Sequence, residues 1–201
     1  KKIVAAYGLP IANGEVISNI QCVASQANKI GYPLVMKILS DKVLHKIDVG
    51  GVELNINSED EAKKAYAKIT RSAKNQPVYI EKQITGKYEL LLGYKHDEIF
   101  GSVLAFGTGG TAVEVYKDIK IALLPASKSE ISNLISGTKV YKLLKGFRNL
   151  PAADLVKLQD LIYKFSCLAL DYQDKIAEID INPLVADEKK FTILDAKIVL
   201  K

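Results

Sequence analysis

Short apolar runs separated by amphipathic stretches recur along the chain, and this alternation constrains the fold more than any other feature. Apolar residues fall at helical spacing over Ile20–Ile30, and the run stops at Gly31-Tyr32-Pro33, a helix-ending signal. Leu34–Leu39 is an apolar run of strand length that contains one lysine. Ser58-Glu59-Asp60-Glu61 opens another helix as a capping box, and this helix extends to about Ala73. Helices and strands therefore share the chain, which predicts an α+β protein.

The residues after Asn75-Gln76-Pro77 are richer in strand-like segments. The predicted strands are 78–83, 89–94, 99–106, 112–116, 176–185 and 191–199, and the predicted helices are 128–136 and 152–169. Asp187-Glu188-Lys189-Lys190 joins the last two strands as a predicted hairpin turn. The composition shift near residue 76 is the one candidate boundary. We therefore predict two small lobes, 1–76 and 77–201, with a ligand cleft between them.

Composition and charge exclude several classes of function. Apolar residues make up 48% and charged residues 25% of the 201 residues, which are ordinary globular values. No apolar run approaches the roughly 18 residues that a membrane span needs, so we expect no membrane partner. The net charge is +5, but only Arg71 and Arg148 are arginines, which argues against a basic nucleic-acid-binding module. Cys22 and Cys167 lack zinc-like spacing and are expected to be reduced thiols of a cytoplasmic protein.

Lys37 stands inside the apolar strand-like run 34–39. Burying an unpaired lysine is costly, so this side chain needs an anionic partner unless it reaches water at a strand edge. The functional interpretation is a cation directed at a nucleotide phosphate. The long apolar stem of Lys37 suggests that Lys37→Met leaves folding intact.

A polar loop with paired glycines follows Lys37. Gly50 and Gly51 allow the backbone to approach a phosphate closely, and His45 beside Lys46 is suited to proton or phosphoryl transfer. A structural role for His45 remains an alternative, and His96 is expected to be structural. A second glycine segment, Gly107-Thr108-Gly109-Gly110, is either a plain turn or part of an anion cradle.

Acidic and amide side chains alternate along the predicted strand 176–185. Alternation places Glu178, Asp180 and Asn182 on one face, and the hairpin partner can bring Asp195 beside Asn182. Carboxylates gathered on one face repel one another unless a cation lies among them. The oxygen donors favour a hard cation such as Mg²⁺ over a solvated acidic face.

Taken in order, these segments resemble the ATP-grasp domain of NDP-forming acyl-CoA synthetases, relatives of the succinyl-CoA synthetase β-subunit. The resemblance extends over nearly the whole chain. It rests on these motifs: Tyr7-Gly8-Leu9-Pro10, Gly31-Tyr32-Pro33, the loop from His45-Lys46 to Gly50-Gly51-Val52, Phe106–Gly110 with Val113-Glu114-Val115, Leu143–Arg148, Glu178–Pro183, and Asp195-Ala196-Lys197.

The resemblance implies a two-lobed ATP-grasp fold with ATP or ADP held between the lobes, and it assigns roles to individual residues. Lys37 matches the phosphate-binding lysine, and Glu89 matches the acid expected at the ribose. The segment with Glu81, Gln83 and Ile84 matches the one whose backbone meets adenine. The remaining roles are the Mg²⁺ ligands Asn182 and Asp195, the phosphoryl-carrying His45, and Asp180 with Glu178 steadying the phosphohistidine.

The implied enzyme is an ADP-forming acid–thiol ligase that converts acyl-CoA, ADP and phosphate into the acid, CoA and ATP. Coenzyme A and the acyl group would be bound by a CoA-binding α-like subunit or domain. An alternative within the same family is a regulatory ATP-grasp module attached to a protein acyltransferase. Residue Lys1 matches a position inside the family's opening helix, so the resemblance implies that the sequence starts within a longer one.

Three positions depart from the family pattern. Ile47 stands where serine is usual after His-Lys, Ala122 stands where arginine is usual, and Gln83 replaces the usual methionine of the interlobe segment.

Overall fold

The computed structural model describes residues 1–40, 46, 49–72, 76–110, 113 and 117–201, and these residues form two compact units. The smaller unit is Ala12–Ile84, and the larger unit combines Lys1–Ile11 with Thr85–Lys201. Each unit has its own antiparallel sheet and its own apolar core. In the described part of the chain, no helix combines the length and the apolar character needed to cross a membrane.

The described elements are numbered in chain order. They are α1 (Lys2–Ala6), β1 (Gly14–Ile17), a 3-10 turn (Ile20–Cys22), α2 (Val23–Ile30), β2 (Leu34–Ile38), β3 (Val52–Ile56), α3 (Glu59–Ser72), β4 (Val78–Lys82), β5 (Tyr88–Asp97), β6 (Gly101–Thr108), β7 (Ile119–Leu123), α4 (Lys128–Ser136), α5 (Tyr141–Leu144), α6 (Leu155–Asp171), β8 (Ile176–Ala186), β9 (Phe191–Ile193) and β10 (Ala196–Leu200).

The smaller unit is a four-stranded sheet in the order β1-β4-β2-β3, with α2 and α3 packed on one face. Met36 of β2 and Ile80 of β4 belong to its buried core, together with Ile69 of α3. Because side chains alternate along a strand, Lys37, the residue after Met36, lies on the opposite face of this sheet. The predicted helices and the lysine-bearing strand are confirmed here, whereas β1 was not predicted.

The division of the chain differs from the predicted lobes 1–76 and 77–201. Strand β4 follows the predicted boundary, yet it lies between β1 and β2 in the sheet of the smaller unit. Val4 and Leu9 precede the boundary, yet they are buried in the core of the larger unit. The composition shift marks the start of strand β4. The long-range pairing of β4 with β1 and β2 then decides to which unit the strand belongs.

The larger unit contains a sheet in the order β10-β8-β5-β6-β7, and β9 pairs with β8 beyond the start of β10. Its three long strands alternate between buried and accessible side chains, so one face packs on the helices and the other remains partly open. The predicted hairpin is confirmed by the pairing of β8 with β9 and β10. Strand β7 was not predicted, and of the expected strand 112–116 only Val113, which is helical, is described.

Asp118 anchors the start of β7 to the segment before α5. Its carboxylate is 4% exposed and accepts hydrogen bonds from the Lys139 amide at 2.7 Å, the Val140 amide at 2.8 Å and the Thr108 hydroxyl at 3.0 Å. Burial acts to raise the pKa of Asp118, but these three hydrogen bonds outweigh it and hold the pKa below its usual value.

We predict that Asp118→Asn lowers the free energy of unfolding at pH 7 by about 1.5–3 kcal/mol, because a neutral amide is a weaker acceptor for two buried N–H groups. A carboxyl whose pKa is lower when folded stabilises the protein above its unfolded pKa of about 3.9 and loses this contribution as the pH falls through the folded pKa. The difference from wild type should therefore shrink toward pH 3 in urea titrations. Exposed Asp174 provides the control: Asp174→Asn should change little at either pH. A pH-independent loss would contradict this account.

Candidate functional site

Lys37 forms an ion pair with a buried carboxylate. Its Nζ lies 2.5 Å from Oε1 of Glu81 on the neighbouring strand β4, and the two side chains are 15% and 2% exposed. The anionic partner that the sequence required is therefore present within the protein. The sequence assigned Glu81 a role only through its backbone, and the structure adds a role for its side chain.

Tyr79 belongs to the same polar group. It is paired with Lys37 across β2 and β4, and its pKa is raised to about 12 by burial and by the negative charges of Glu81 and Glu15. A Cβ added to Gly14 would lie 2.6 Å from the Cβ of Glu81 and 2.8 Å from the Tyr79 ring, so this glycine leaves room for both side chains. Neither Tyr79 nor Gly14 was predicted from the sequence. The alternation Val78-Tyr79-Ile80-Glu81 was the signal that could have indicated Tyr79.

His45 and Ile47 lie outside the described residues, and the structure describes only parts of the predicted phosphate loop. Gly50 has a left-handed backbone with φ of +66°, which explains a glycine there. A Cβ on Gly51 would lie 2.4 Å from Cγ2 of Ile38, so Gly51 is required by packing. The Gly51 amide donates to the Lys46 carbonyl at 2.8 Å and is thus engaged within its own loop.

The segment from Glu81 to Ile84 leaves the smaller sheet at the end of β4. The Gln83 amide donates to the Pro33 carbonyl at 3.0 Å, and the Gln83 side chain is hydrogen-bonded to Asn55 of β3. Gln83 therefore contacts two neighbouring segments, and Ile84 follows it as a half-buried residue.

In the larger unit, the acidic residues of β8 share one face as predicted. Ile179 and Ile181 are fully buried. The residues that alternate with them, Glu178, Asp180 and Asn182, are only partly buried. The same alternation therefore directs the apolar side chains into the core and the polar side chains to the open face.

The pairing of β8 with β9 and β10 places Asn182 opposite Asp195. Ile181 pairs with Ala196 and Leu184 pairs with Ile193, and the Leu194 amide donates to the Pro183 carbonyl at 3.1 Å between them. Asn182 and Asp195 thus offer an amide oxygen and a carboxylate from neighbouring chain segments. The expectation that the hairpin brings these two residues side by side is confirmed.

Asp180 lies in a field of negative charge. Its pKa is raised, first by burial and then by the carboxylates of Glu178 and Asp195, while the Lys197 ammonium acts in the opposite direction. Lys197 is its cross-strand neighbour on β10. This face therefore disfavours a further negative charge and favours a cation or a hydrogen-bond donor beside Asp180.

The glycine segment Gly107–Gly110, at the end of β6, packs tightly against its neighbours. A Cβ on Gly107 would lie 1.9 Å from the Asp118 carbonyl oxygen, and one on Gly110 would lie 1.6 Å from Oε2 of Glu89. The Gly110 amide donates to Oδ1 of Asn182 at 2.7 Å. These close contacts explain Gly107 and Gly110 by packing, and the Gly110 amide joins the Glu89 region to Asn182. The anion cradle stays a prediction.

Two further positions are separate from this polar face. Ala122, where the family usually has arginine, pairs with Leu104 and packs against the core of the larger unit, on the face of the sheet opposite Asp180. His96, on β5, lies opposite Ser102 of β6 and is exposed.

The donor set at Asn182 and Asp195 fits a hard cation. Among the described residues, no three His, Cys, Asp or Glu side chains are grouped as metal ligands. Mg²⁺ does not require such a cage, because it usually binds one or two protein oxygens and completes its shell with water and phosphate oxygens. The amide oxygen of Asn182 and the carboxylate of Asp195, on neighbouring chain segments, are donors of this type.

Comparisons with known proteins agree with this geometry. A family model described as an ATP-grasp domain matches residues 1–200. The ADP-forming 4-hydroxybutyrate–CoA ligase of Nitrosopumilus maritimus is 37% identical over 209 residues, covering 100% of this chain and 30% of that protein. The β subunit of ADP-forming acetate–CoA ligase I of Pyrococcus furiosus is 35% identical over 207 residues, covering 100% and 89%. The chain therefore spans less than a third of the longer ligase and most of the β subunit.

Solved structures of one protein are similar over nearly the whole chain. The dinucleotide-forming acetyl-coenzyme A synthetase 1 of Ca. Korarchaeum cryptofilum, in complex with coenzyme A and Ca-AMPCP, aligns with a TM-score of 0.93 at 32% identity, covering 100% of this chain and 90% of that one. Its complex with coenzyme A and Mg-AMPPCP, with the phosphohistidine segment pointing towards the nucleotide binding site, aligns with a TM-score of 0.86 at 33% identity, covering 98% and 88%. These similarities confirm the predicted fold.

The buried ion pair changes the expectation for Lys37. We predict that Lys37→Met lowers the free energy of unfolding by about 3–5 kcal/mol, because the Glu81 carboxylate stays buried without its lysine. Lys37→Met/Glu81→Gln should recover most of this loss, since the second change removes the charge. Urea unfolding at pH 7 measures both effects.

The pair Lys29–Glu15 is a matched control, because its N···O distance is also 2.5 Å but its side chains are 66% and 37% exposed. Lys29→Met should cost less than about 1 kcal/mol. If Lys37→Met leaves stability unchanged, the ion pair does not contribute to folding.

Proposed function

The chain belongs to the ATP-grasp family, and from this premise we propose that it is the nucleotide-binding part of an ADP-forming acyl-CoA synthetase. The proposed reaction converts an acyl-CoA, ADP and phosphate reversibly into the carboxylic acid, CoA and ATP. The observation that carries the proposal is the similarity of the entire chain to a ligase β subunit, of which it covers 89%. The named ligase relatives support this activity over a regulatory module attached to an acyltransferase.

A second, CoA-binding part completes the proposed enzyme. One relative is named as a β subunit, and another is a ligase of which this chain covers only 30%. We infer that a separate subunit or another segment of the same polypeptide binds coenzyme A and the acyl group. This chain would then provide the nucleotide-binding site, the phosphoryl carrier and the residues that steady the carrier.

Lys37 is proposed to bind a nucleotide phosphate from the smaller unit, beside the backbone of Glu81, Gln83 and Ile84. Glu81 holds the Lys37 ammonium in place and removes the cost of burying it unpaired. Glu89, next to Gly110, is proposed to accept the ribose hydroxyls in the larger unit. Gly50 and Gly51 are proposed to shape the loop near the phosphates.

The acidic face of the larger unit needs a cation before it can accept a polyphosphate. Burial, and then the carboxylates of Glu178 and Asp195, raise the pKa of Asp180. The same negative field repels a phosphate. Asn182 and Asp195 would hold a magnesium ion, which when bound supplies positive charge beside the phosphate oxygens. The hydrogen bond from the Gly110 amide orients the Asn182 carboxamide, so that its oxygen has a defined direction.

His45 is the proposed phosphoryl carrier. A ring nitrogen attacks the γ-phosphorus of ATP, the N–P bond forms, and the P–O bond to ADP breaks; the reverse step regenerates ATP. Asp180, with Glu178 beside it, is proposed to accept a hydrogen bond from the other ring N–H and to steady the phosphohistidine. The negative surroundings of Asp180 make its carboxylate a strong acceptor for that N–H.

We predict that Asn182→Ala/Asp195→Ala weakens the affinity of the chain for Mg²⁺-ADP or Mg²⁺-ATP by at least about tenfold, roughly 1.4 kcal/mol. The double variant removes both oxygen donors for the cation, so the remaining carboxylates Glu178 and Asp180 face the phosphates with no bound Mg²⁺ between them. Titration calorimetry with and without Mg²⁺ measures the effect. Asn149→Ala/Asp174→Asn, at exposed positions outside the proposed site, should bind as wild type does. Undiminished Mg²⁺-dependent affinity in the first variant would remove the metal assignment.

We further predict that His45 becomes labelled when the chain and its CoA-binding counterpart are incubated with γ-labelled ATP. The label should be acid-labile and alkali-stable, as expected for an N–P bond. His45→Ala should incorporate no label on this chain, whereas His96→Ala should incorporate the wild-type amount. Wild-type labelling of His45→Ala, or loss of label only in His96→Ala, would overturn the carrier assignment.

A further inference from the structure

Strand β3 contains a bulge at its exposed edge. Leu34 of β2 pairs with Ile56 and Met36 pairs with Glu53, so two residues of β3, Leu54 and Asn55, lie opposite one residue of β2. Asn55 has a positive φ of 56°, the left-handed conformation that asparagine tolerates better than most residues. A bulge takes the backbone N–H of its extra residue out of the sheet ladder, and that N–H needs another acceptor.

The side chain of Gln83 supplies that acceptor. Oε1 of Gln83 accepts the Asn55 backbone N–H at 2.6 Å, and Nε2 of Gln83 donates to Oδ1 of Asn55 at 2.8 Å. The two residues are 28 positions apart in the chain, so this reciprocal pair is a tertiary contact. We call the Gln83–Asn55 pair the clamp.

The backbone beside the clamp is also fixed from two other directions. The Lys82 amide donates to the Asn13 carbonyl at 3.0 Å, and the Gln83 amide donates to the Pro33 carbonyl at 3.0 Å. Nζ of Lys82 donates to the carbonyl of Gly31 at 3.1 Å. The clamp adds the connection to β3, the outer strand on the far side of β2. Hydrogen bonds thus fix both the backbone and the side chains of residues 82–83 before the chain leaves the smaller unit.

We propose that Gln83 is a positioning residue of the nucleotide site, and that it acts through Asn55. The proposal rests on the proposed function, in which the backbone of Glu81–Ile84 contacts the nucleotide. Gln83 directs its side chain to β3, and its contribution to the site is a backbone that is already ordered before the nucleotide binds. Ordering one free residue upon binding would reduce affinity by about five- to thirtyfold. The clamp is at the surface, where water competes, so we expect an effect of about three- to tenfold.

The chemistry of the pair permits a charge-based test. Gln83→Glu keeps an acceptor for the Asn55 N–H, and the Asn55 carboxamide can turn to donate to the second carboxylate oxygen. Asn55→Asp keeps an acceptor for Nε2 of Gln83. Each single variant therefore preserves the clamp. Gln83→Glu/Asn55→Asp sets two carboxylates against each other, and the clamp opens unless one of them is protonated.

Calorimetry compares the affinity for Mg²⁺-ATP of the wild type, the two single variants and the double variant. The measurements are made at pH 8 and at pH 5.5, at a temperature well below that of unfolding. Asn55→Asp should bind within about twofold of wild type, and the affinity of Gln83→Glu measures the cost of the added charge alone. The double variant should bind about three- to tenfold more weakly at pH 8, and this deficit should narrow at pH 5.5. If the two substitutions act independently, the fold-loss of affinity in the double variant equals the product of the fold-losses in the two single variants.

The outcomes separate the clamp from the proposed function. If the wild-type chain binds no nucleotide, the proposed function fails, and the role of the clamp fails with it. If the wild type binds but the double variant shows only the product of the single effects, simple charge repulsion explains the result and the positioning role is overturned. If the double variant unfolds more readily but retains wild-type affinity, the clamp only stabilises the bulge, which also overturns the proposal.

Discussion

The requirement that a one-sided sheet bury alternate side chains controls the architecture of the larger unit, and β8 is the strand on which it acts most. β8 pairs with β5 on one side and with β9 and β10 on the other, so its orientation sets that of its neighbours. Burial of Ile179 and Ile181 obliges Asp180 and Asn182 to face away from the core. A shift of one residue would bury the carboxylates and expose the isoleucines, which makes this register strongly favoured.

Charge is organised differently in the two units. In the smaller unit, the single lysine of β2 is compensated internally by Glu81, and the pair can be largely buried because each charge satisfies the other. In the larger unit, Asp180, Glu178 and Asp195 reinforce one another, and Lys197 offsets them only in part. The first arrangement is complete without a ligand. The second arrangement is the one that gains most from a bound cation.

Glycines illustrate how a motif and its physical cause can differ. Gly107 and Gly110 occur in a pattern typical of phosphate-binding loops, yet each has a local cause. The Asp118 carbonyl oxygen occupies the space of a Cβ on Gly107, and Gly110 has a left-handed backbone with φ of +63°. The Gly110 amide is used by Asn182, so the segment connects the proposed ribose acid Glu89 with a proposed metal ligand. Its contribution to the site is to hold these side chains, which a pattern of residue types alone does not reveal.

Most helices and strands, the common face of Glu178, Asp180 and Asn182, and the register that places Asn182 near Asp195 could be predicted from the sequence alone. Each of these follows from a local property: the period of apolar residues, or a short turn that fixes the register of a hairpin. The tertiary structure alone decided that β4 belongs to the smaller unit, that Glu81 pairs with Lys37, and that Gln83 reaches Asn55. These contacts join segments 28 to 67 positions apart. Their existence depends on which strands become neighbours, and the free energy that decides this comes from the core as a whole and from no single stretch of sequence.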